Sequence, residues 1–153
     1  MTDPWTQAFY DRLLGVDVVA QASAVLTARV QALHAGLGQY QGGPAVFSSW
    51  PVPGQAPDVY IAMAGNSANA ANDTKTTRGH VVERYIFVYA KEKGAEGDVE
   101  NLAQLMRDLF HREQLPVTGQ EVYITTAEGP IAAPTGEDMV GRMVIVSLRT
   151  KEV

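Results

Sequence analysis

A chain of 153 residues, 46% hydrophobic and 19% charged, carries enough apolar material for one globular domain, which at this length buries roughly 68–70% of the surface its unfolded form exposes. It has no cysteine, which removes disulfide scaffolds, thiolate zinc sites and cysteine nucleophiles, and fits a reducing compartment. A formal charge of −5 opposes a general affinity for nucleic-acid backbones, which requires concentrated Lys and Arg, yet leaves room for a passage that DNA merely slides through.

Met1-Thr-Asp-Pro-Trp5 lacks the basic flank and apolar run of a signal peptide, and no stretch approaches the ~20 apolar residues of a membrane span. The expectation is a soluble protein made in the cytoplasm, with no membrane association. Asp3 and Pro4 before Trp5, Phe9 and Leu13 read as a capped helix with proline at its first position, interrupted at Gly15. Val18, Ala22, Val25, Leu26, Val30 and Leu33 recur at helical spacing, which predicts an amphipathic helix from Asp17 to about Ala35. The glycines between Gly36 and Pro44 end it.

Ala45 to Trp50 suits a short strand, and Pro51, Pro53 and Pro57 make an extended connector. Val59, Ile61 and Met63 alternate with Asp58, Tyr60 and Ala62, the period of a strand. A second strand places Val81, Tyr85, Phe87 and Tyr89 on one face and Val82, Ile86 and Val88 on the other, so it is expected to be central and covered on both sides. Between them runs a polar segment, Gly65 to Gly79, longer than the roughly 12–15 residues beyond which structureless loops are usually functional or disordered. Asp98 reads as the N-cap of a helix carrying Val99, Leu102, Ala103, Leu105, Met106, Leu109 and Phe110 on one stripe. Val122, Ile124 and Thr126 suggest a further strand, Gly129-Pro130 and Pro134-Thr-Gly136 mark turns, and Met139 to Arg149 reads as a last strand with Val140, Val144, Val146 and Leu148 on one face. The result is a single α+β domain over residues 1–153: a mainly antiparallel sheet of four to five strands, with two amino-terminal helices and one central helix packed on it.

Chemistry is sparse. His34, His80 and His111 fall in three different elements without the i, i+4 spacing of a zinc-binding helix, and read as histidines near element ends. Ser67 lacks the complete Gly-x-Ser-x-Gly elbow of a nucleophile, and no phosphate-cradling glycine motif occurs. Glu83 shares a strand face with Tyr85 and Tyr89, where it is a weak acid–base candidate, and pairing with Arg142 across the sheet is the simpler expectation. No metal or other cofactor is expected. The polar segment offers Asn66, Asn69, Asn72, Asp73, Thr74, Lys75, Thr76, Thr77 and Arg78 as a candidate assembly loop, with Lys75 and Arg78 suited to an acidic partner surface and the ordering cost met on binding.

Several patterns, in order, resemble the tail-completion proteins of long-tailed bacteriophages, also called tail terminators or head-tail joining proteins. They are Pro57-Asp-Val-Tyr-Ile-Ala-Met63, Thr74-Lys-Thr76, His80-Val-Val-Glu-Arg-Tyr-Ile-Phe-Val-Tyr89, Val99-x-x-Leu-Ala-x-Leu-Met106 and Gly141-Arg-Met-Val-Ile-Val-Ser-Leu-Arg149. The likeness runs from Pro57 to Arg149, more loosely through the first helix, and departs at Gly36 to Gln55, which is longer and richer in Gly and Pro. It implies a structural, non-catalytic virion protein placed at the head–tail junction after synthesis in the bacterial host cytoplasm. Such subunits close into a homo-oligomeric ring, usually a hexamer, that caps the tail tube and meets the head-completion or connector protein. Similar proteins occur in prophages and gene transfer agents. A ring needs two complementary patches on each subunit, and an acidic lumen would let DNA pass without sticking. A tail-tube or head-tail adaptor subunit of the same machinery is the nearer alternative. A cytoplasmic enzyme or small-ligand binding module built on Glu83, Tyr85 and His80 is the farther one.

Overall fold

Among the described residues, three helices of more than two turns cover one face of a five-stranded sheet. The structure, a computed structural model, describes residues 4–17, 24–47, 57–70, 79–91, 96–133 and 139–152. In chain order the elements are α1 (Pro4–Leu14), α2 (Ala24–Gly36), β1 (Gln39–Tyr40), β2 (Gly43–Pro44), β3 (Val46–Phe47), β4 (Val59–Ala70), β5 (Gly79–Ala90), α3 (Glu96–Phe110), β6 (Gln120–Ala132) and β7 (Val140–Glu152). The sheet order is β3-β4-β5-β7-β6, antiparallel except for the short parallel pairing of β3 on β4. The expected α+β class, helix count and mainly antiparallel sheet are therefore present, and β3 joins the main sheet.

Helix α1 begins at Pro4, whose missing N–H is one of the first-turn donors that has no helical partner anyway, while the proposed Asp3 cap lies outside the described residues. It buries Ala8, Phe9, Arg12 and Leu13, with Phe9 edge-on to Phe110 of α3, ring centroids 5.5 Å apart. The helix stops at Gly15, which holds φ +84°, the left-handed geometry that favours glycine at a helix C-terminus. Helix α2 is described from Ala24 to Gly36; Val16 and Asp17, at the expected start, are also helical, and residues 18–23 between lie outside the described residues. Its core stripe is Leu26, Val30 and Leu33, whereas Val25, which the periodicity placed on the buried side, is 59% exposed. Helix α3 buries Val99, Leu102, Ala103, Met106, Leu109 and Phe110, as its spacing predicts. It starts at Glu96, so Asp98 lies in the first turn and is not the N-cap; a carboxylate there still favours the positive end of the helix.

The sheet presents alternate residues to the helices. Val82, Ile86 and Val88 of β5 and Val144, Val146 and Leu148 of β7 have at most 1% exposure and form one core with the helices. β5 is central, as expected, but helices cover only its even-numbered face. On its other face, Tyr89 and Tyr60 join Tyr40, Phe47 and Phe87 in a smaller aromatic cluster at one end, with neighbouring centroids 5.0–6.0 Å apart.

Two arginines lie inside this architecture. Arg12 is completely buried. Its Nε–H donates to both Asp17 carboxylate oxygens at 2.8 and 2.9 Å, Nη1–H to Leu109 O at 2.6 Å and Nη2–H to Gln114 O at 2.6 Å. One planar fork thus satisfies a carbonyl at the end of α3 and another just beyond it, and the cation sits at the negative end of the helix. Arg84, 3% exposed, donates from Nη1 to Glu83 O and reaches Thr6 Oγ1 of α1 at 3.3 Å. Arg29 adds a third tie, donating to Asp108 O at 2.8 Å and pairing with Glu113 at 3.3 Å.

Candidate functional site

The polar segment singled out in the sequence is shorter than expected. Gly65–Ala70 continue β4, and Gly79 opens β5, with Ser67 opposite Glu83, Asn69 opposite Val81 and Ala70 opposite His80. Asn66 and Asn69 are therefore strand residues, not loop residues. A register shift between Ala64 and Ser67 explains the misreading: the bulge breaks the alternation on which strands are recognised, and Gly, Asn and Ser there carry no β signal. Asn72, Asp73, Thr74, Lys75, Thr76, Thr77 and Arg78 lie outside the described residues, as does the Pro134–Gly136 turn.

The hairpin's framework can be followed into the sheet. Successive rows across the face turned away from the helices are Ile131–Met143–Phe87, Glu128–Ile145–Tyr85, Thr126–Ser147–Glu83, Ile124–Arg149–Val81 and Glu121–Lys151. Tyr123, Ile124 and Ile131 are 52%, 51% and 42% exposed. Val122, Ile124 and Thr126 lie in the expected strand, β6. A register shift between Val122 and Ile124 reverses the alternation, so that Thr125 and Ala127 turn inward and Ile124 outward. Gly129-Pro130 is a second irregularity, between Glu128 and Ile131, and not a chain-reversing turn. Gly129 holds φ +121°, and a Cβ there would lie 2.7 Å from Met143 O; the backbone of β7 comes too close for a side chain.

β6 is an edge strand, yet its middle is not open. Arg112, at φ +58°, donates its backbone N–H to Thr125 O at 2.9 Å, and the Ala127 N–H donates to His111 Nδ1 at 3.1 Å. The turn after α3 therefore occupies outward-facing groups where another strand would pair. His34 is engaged just as internally, since its Nε2–H donates to Leu13 O at 2.7 Å and ties α2 to α1. Among the described residues no group of three His, Cys, Asp or Glu is placed to hold a metal ion.

Of the Glu83–Tyr85–His80 grouping, the side chains of Glu83 and Tyr85 are described and that of His80 lies outside the described residues. Glu83 and Tyr85 lie on the helix-free face. The Tyr85 hydroxyl is raised above its usual 10.0, first by its hydrogen bond to Glu83 and then by that carboxylate's charge, which keeps it a neutral donor and makes it a poor base or nucleophile. Arg142 does not pair with Glu83. It stands opposite Val88, on the other face, and donates to Glu100 of α3 at 2.8 Å. Lys151 pairs with Glu121 at 3.3 Å and lies 5.5 Å from the Tyr123 ring centroid; hydrogen bonds to Tyr123 and Glu121 raise its ammonium above the usual 10.5. A cleft of about 440 Å³ exists instead on the helix side, where Leu102 and Leu105 of α3, Gly36 of α2 and Val59 of β4 form its walls. Asp58, Lys91 and Asp98 also line it, and Glu83 and Tyr85 do not.

No protein-family model matches this chain, and no curated protein matches it. Among solved structures, a chain of the "Virion of native gene transfer agent (GTA) particle" superposes with a TM-score of 0.67 at 20% sequence identity, covering 95% of this chain and 93% of that one. Identity at that level establishes a shared fold over nearly the whole length of both chains.

Proposed function

We infer that this chain is a structural protein of a tailed-phage-like virion, and within it a tail-completion subunit: one member of a ring that caps the tail tube and joins the tail to the head. The observation that carries the reading is the match of fold to a chain of a gene transfer agent virion over 95% of this chain. The order of motifs from Pro57 to Arg149 supports the narrower role.

In this reading the helices and sheet keep the subunit's shape, and the segment Asn72–Arg78 at the end of the β4–β5 hairpin meets a neighbouring subunit, the tail-tube protein or the connector. Lys75 and Arg78 supply its positive charge. The net charge of −5 suits a conduit that repels DNA phosphates. The test is deletion of the gene followed by electron microscopy of the particles. Unjoined heads and tails, restored to joined particles by the intact gene, are expected; normal joined particles without this chain would overturn the assignment.

A further inference from the structure

We propose that copies of this chain join head to tail, the Tyr123–Ile124 ridge of β6 on one copy entering the cleft between α2 and α3 on the next. The proposal rests on the ring reading above and deepens it by naming the two surfaces. A ring is built from heterologous contacts, in which two different patches meet around the circle. Those patches must lie apart on the subunit and match each other.

They lie at opposite corners. The cleft sits where β4 begins and β5 ends, at Val59 and Ala90, and Ala90 stands opposite Val140 at the start of β7. Ile124 stands opposite Arg149, towards the other end of β7 and on the far edge of the sheet. Val140 and Arg149 are about 30 Å apart at ~3.3 Å per residue, and β6 lies three strand spacings of ~4.8 Å from β4. One copy cannot fill its own cleft.

The patches also match. Tyr123 and Ile124 are adjacent and about half exposed. The cleft offers Val59, Leu102 and Leu105 as apolar walls around about 440 Å³. That lies within the ~300–1,000 Å³ of sites for drug-sized ligands, enough for one or two large side chains. Arg149 flanks the ridge opposite Ile124, and Arg112 flanks it through its backbone bond to Thr125 O. Both arginines are exposed, and neither forms an ion pair among the described residues. The neighbouring carboxylates of Glu113 and Glu121 are already paired, with Arg29 and Lys151, and Glu128 lies farther along β6, opposite Ile145. The cleft's rim carries Asp58 and Asp98, exposed and likewise without an ion pair among the described residues, against the single ammonium of Lys91. Two cations beside an apolar ridge thus face two carboxylates beside an apolar cleft. Either patch meeting its own copy would oppose like charges. Strand addition at β6 is no substitute, since Arg112 N–H and His111 Nδ1 already engage Thr125 O and Ala127 N–H.

The test is sedimentation velocity on the purified full chain from low to high micromolar concentration. Tyr123→Ser/Ile124→Thr removes the ridge, Ala32→Arg fills the cleft from an exposed position of α2 that lines it, and Val25→Lys is a control outside both. Wild type and the control should associate alike, beyond the dimer. Each patch variant alone should associate at least about 30-fold more weakly, as expected for loss of interface anchors, with unchanged circular dichroism. Mixed in equal amounts, the two patch variants should form a dimer and nothing larger, because one intact ridge then meets one intact cleft. Should either fold poorly, Arg112→Gln/Arg149→Gln and Asp58→Asn/Asp98→Asn replace them, with the same pattern expected. Wild type that stays monomeric throughout, folded patch variants that associate as tightly as wild type, or a mixture that stays monomeric would overturn the proposal. The two readings fail separately: joined particles assembled from the patch variants remove this contact and leave the virion role, whereas head-to-tail association by a chain whose deletion leaves particles normal does the reverse.

Discussion

Removing the Arg12 guanidinium should be among the most damaging single changes in this fold. Arg12→Ala would take the guanidinium away from the Asp17 carboxylate, whose side chain is only 13% exposed, and would remove the donors to Leu109 O and Gln114 O, both now at 2.6 Å. Breaking a buried ion pair from one side costs about 3–5 kcal/mol, because a charge remains uncompensated. Asp17 keeps some contact with solvent, so the lower end, ~3 kcal/mol, is expected. Domains of this kind have about 5–15 kcal/mol in total, and each kcal/mol moves Tm by roughly 2–4 °C at this size, so Tm should fall by roughly 6–12 °C. Urea unfolding followed by tryptophan fluorescence and by far-ultraviolet circular dichroism measures the change. Trp5 on α1 is packed against the core and reports directly on the helix that Arg12 anchors.

Asp17→Asn in the Arg12→Ala background should recover part of the loss, since it removes the stranded charge; residues in one network usually couple by about 0.5–3 kcal/mol. Arg12→Lys should recover little, because one ammonium on a flexible stem cannot reproduce a fork directed at three acceptors. A loss below about 1 kcal/mol for Arg12→Ala, with an unchanged denaturant slope, would refute the argument that this arginine joins α1 to the end of α3.

Gly129→Ala should cost about 1–3 kcal/mol in thermal melts, because its φ of +121° and the 2.7 Å approach of Met143 O leave no room for a Cβ; a neutral effect would mean that β6 shifts freely at the bulge. Burial raises the Tyr60 and Tyr89 hydroxyls above 10.0, with the Tyr60 charge adding to the effect at Tyr89. The folded chain then holds these protons where the unfolded chain releases them, so their contribution is complete below pH 10 and is lost as pH rises through the folded pKa values. Alkaline urea melts should show that decline, and Tyr60→Phe/Tyr89→Phe should flatten it; an identical slope in the variant rules it out. Replacing residues 71–79 with a two-residue Asn-Gly turn between the paired Ala70 and His80, which suits antiparallel hairpins, should leave the monomer's melting curve within about 1 kcal/mol of wild type while head–tail joining in complementation is lost. Normal joining would remove the Asn72–Arg78 segment from the assembly role.

The elements that could be read from the sequence are those whose side chains repeat without interruption. α3 shows its stripe from Val99 to Phe110 and β7 its alternation from Val140 to Leu148, and both pack as their periods require. What could not be read lies where one backbone irregularity resets the count. The shift after Ala64 hid six residues of β4, and the shift after Val122 turns Ile124 outward, which no pattern in the sequence announces. The Arg12 anchor was illegible for a different reason: its two carbonyl partners are 97 and 102 residues away, and backbone carbonyls leave no mark on a sequence.

The same distinction governs the functional reading. A catalytic site writes itself into a few residue types at fixed spacing, whereas a subunit interface asks only for area, apolar character and charge of both signs, which many residue types supply. The motif order from Pro57 to Arg149 could therefore suggest a virion assembly, yet it drew attention to the polar hairpin tip and passed over β6. The irregularities that concealed β6 also shape its surface, since the shift at Val122/Ile124 turns Ile124 outward while His111 and Arg112 close the backbone edge beside it. A strand that shows apolar side chains to solvent while denying its hydrogen-bonding edge resists open-ended strand pairing and leaves its side chains, not its backbone, for any contact.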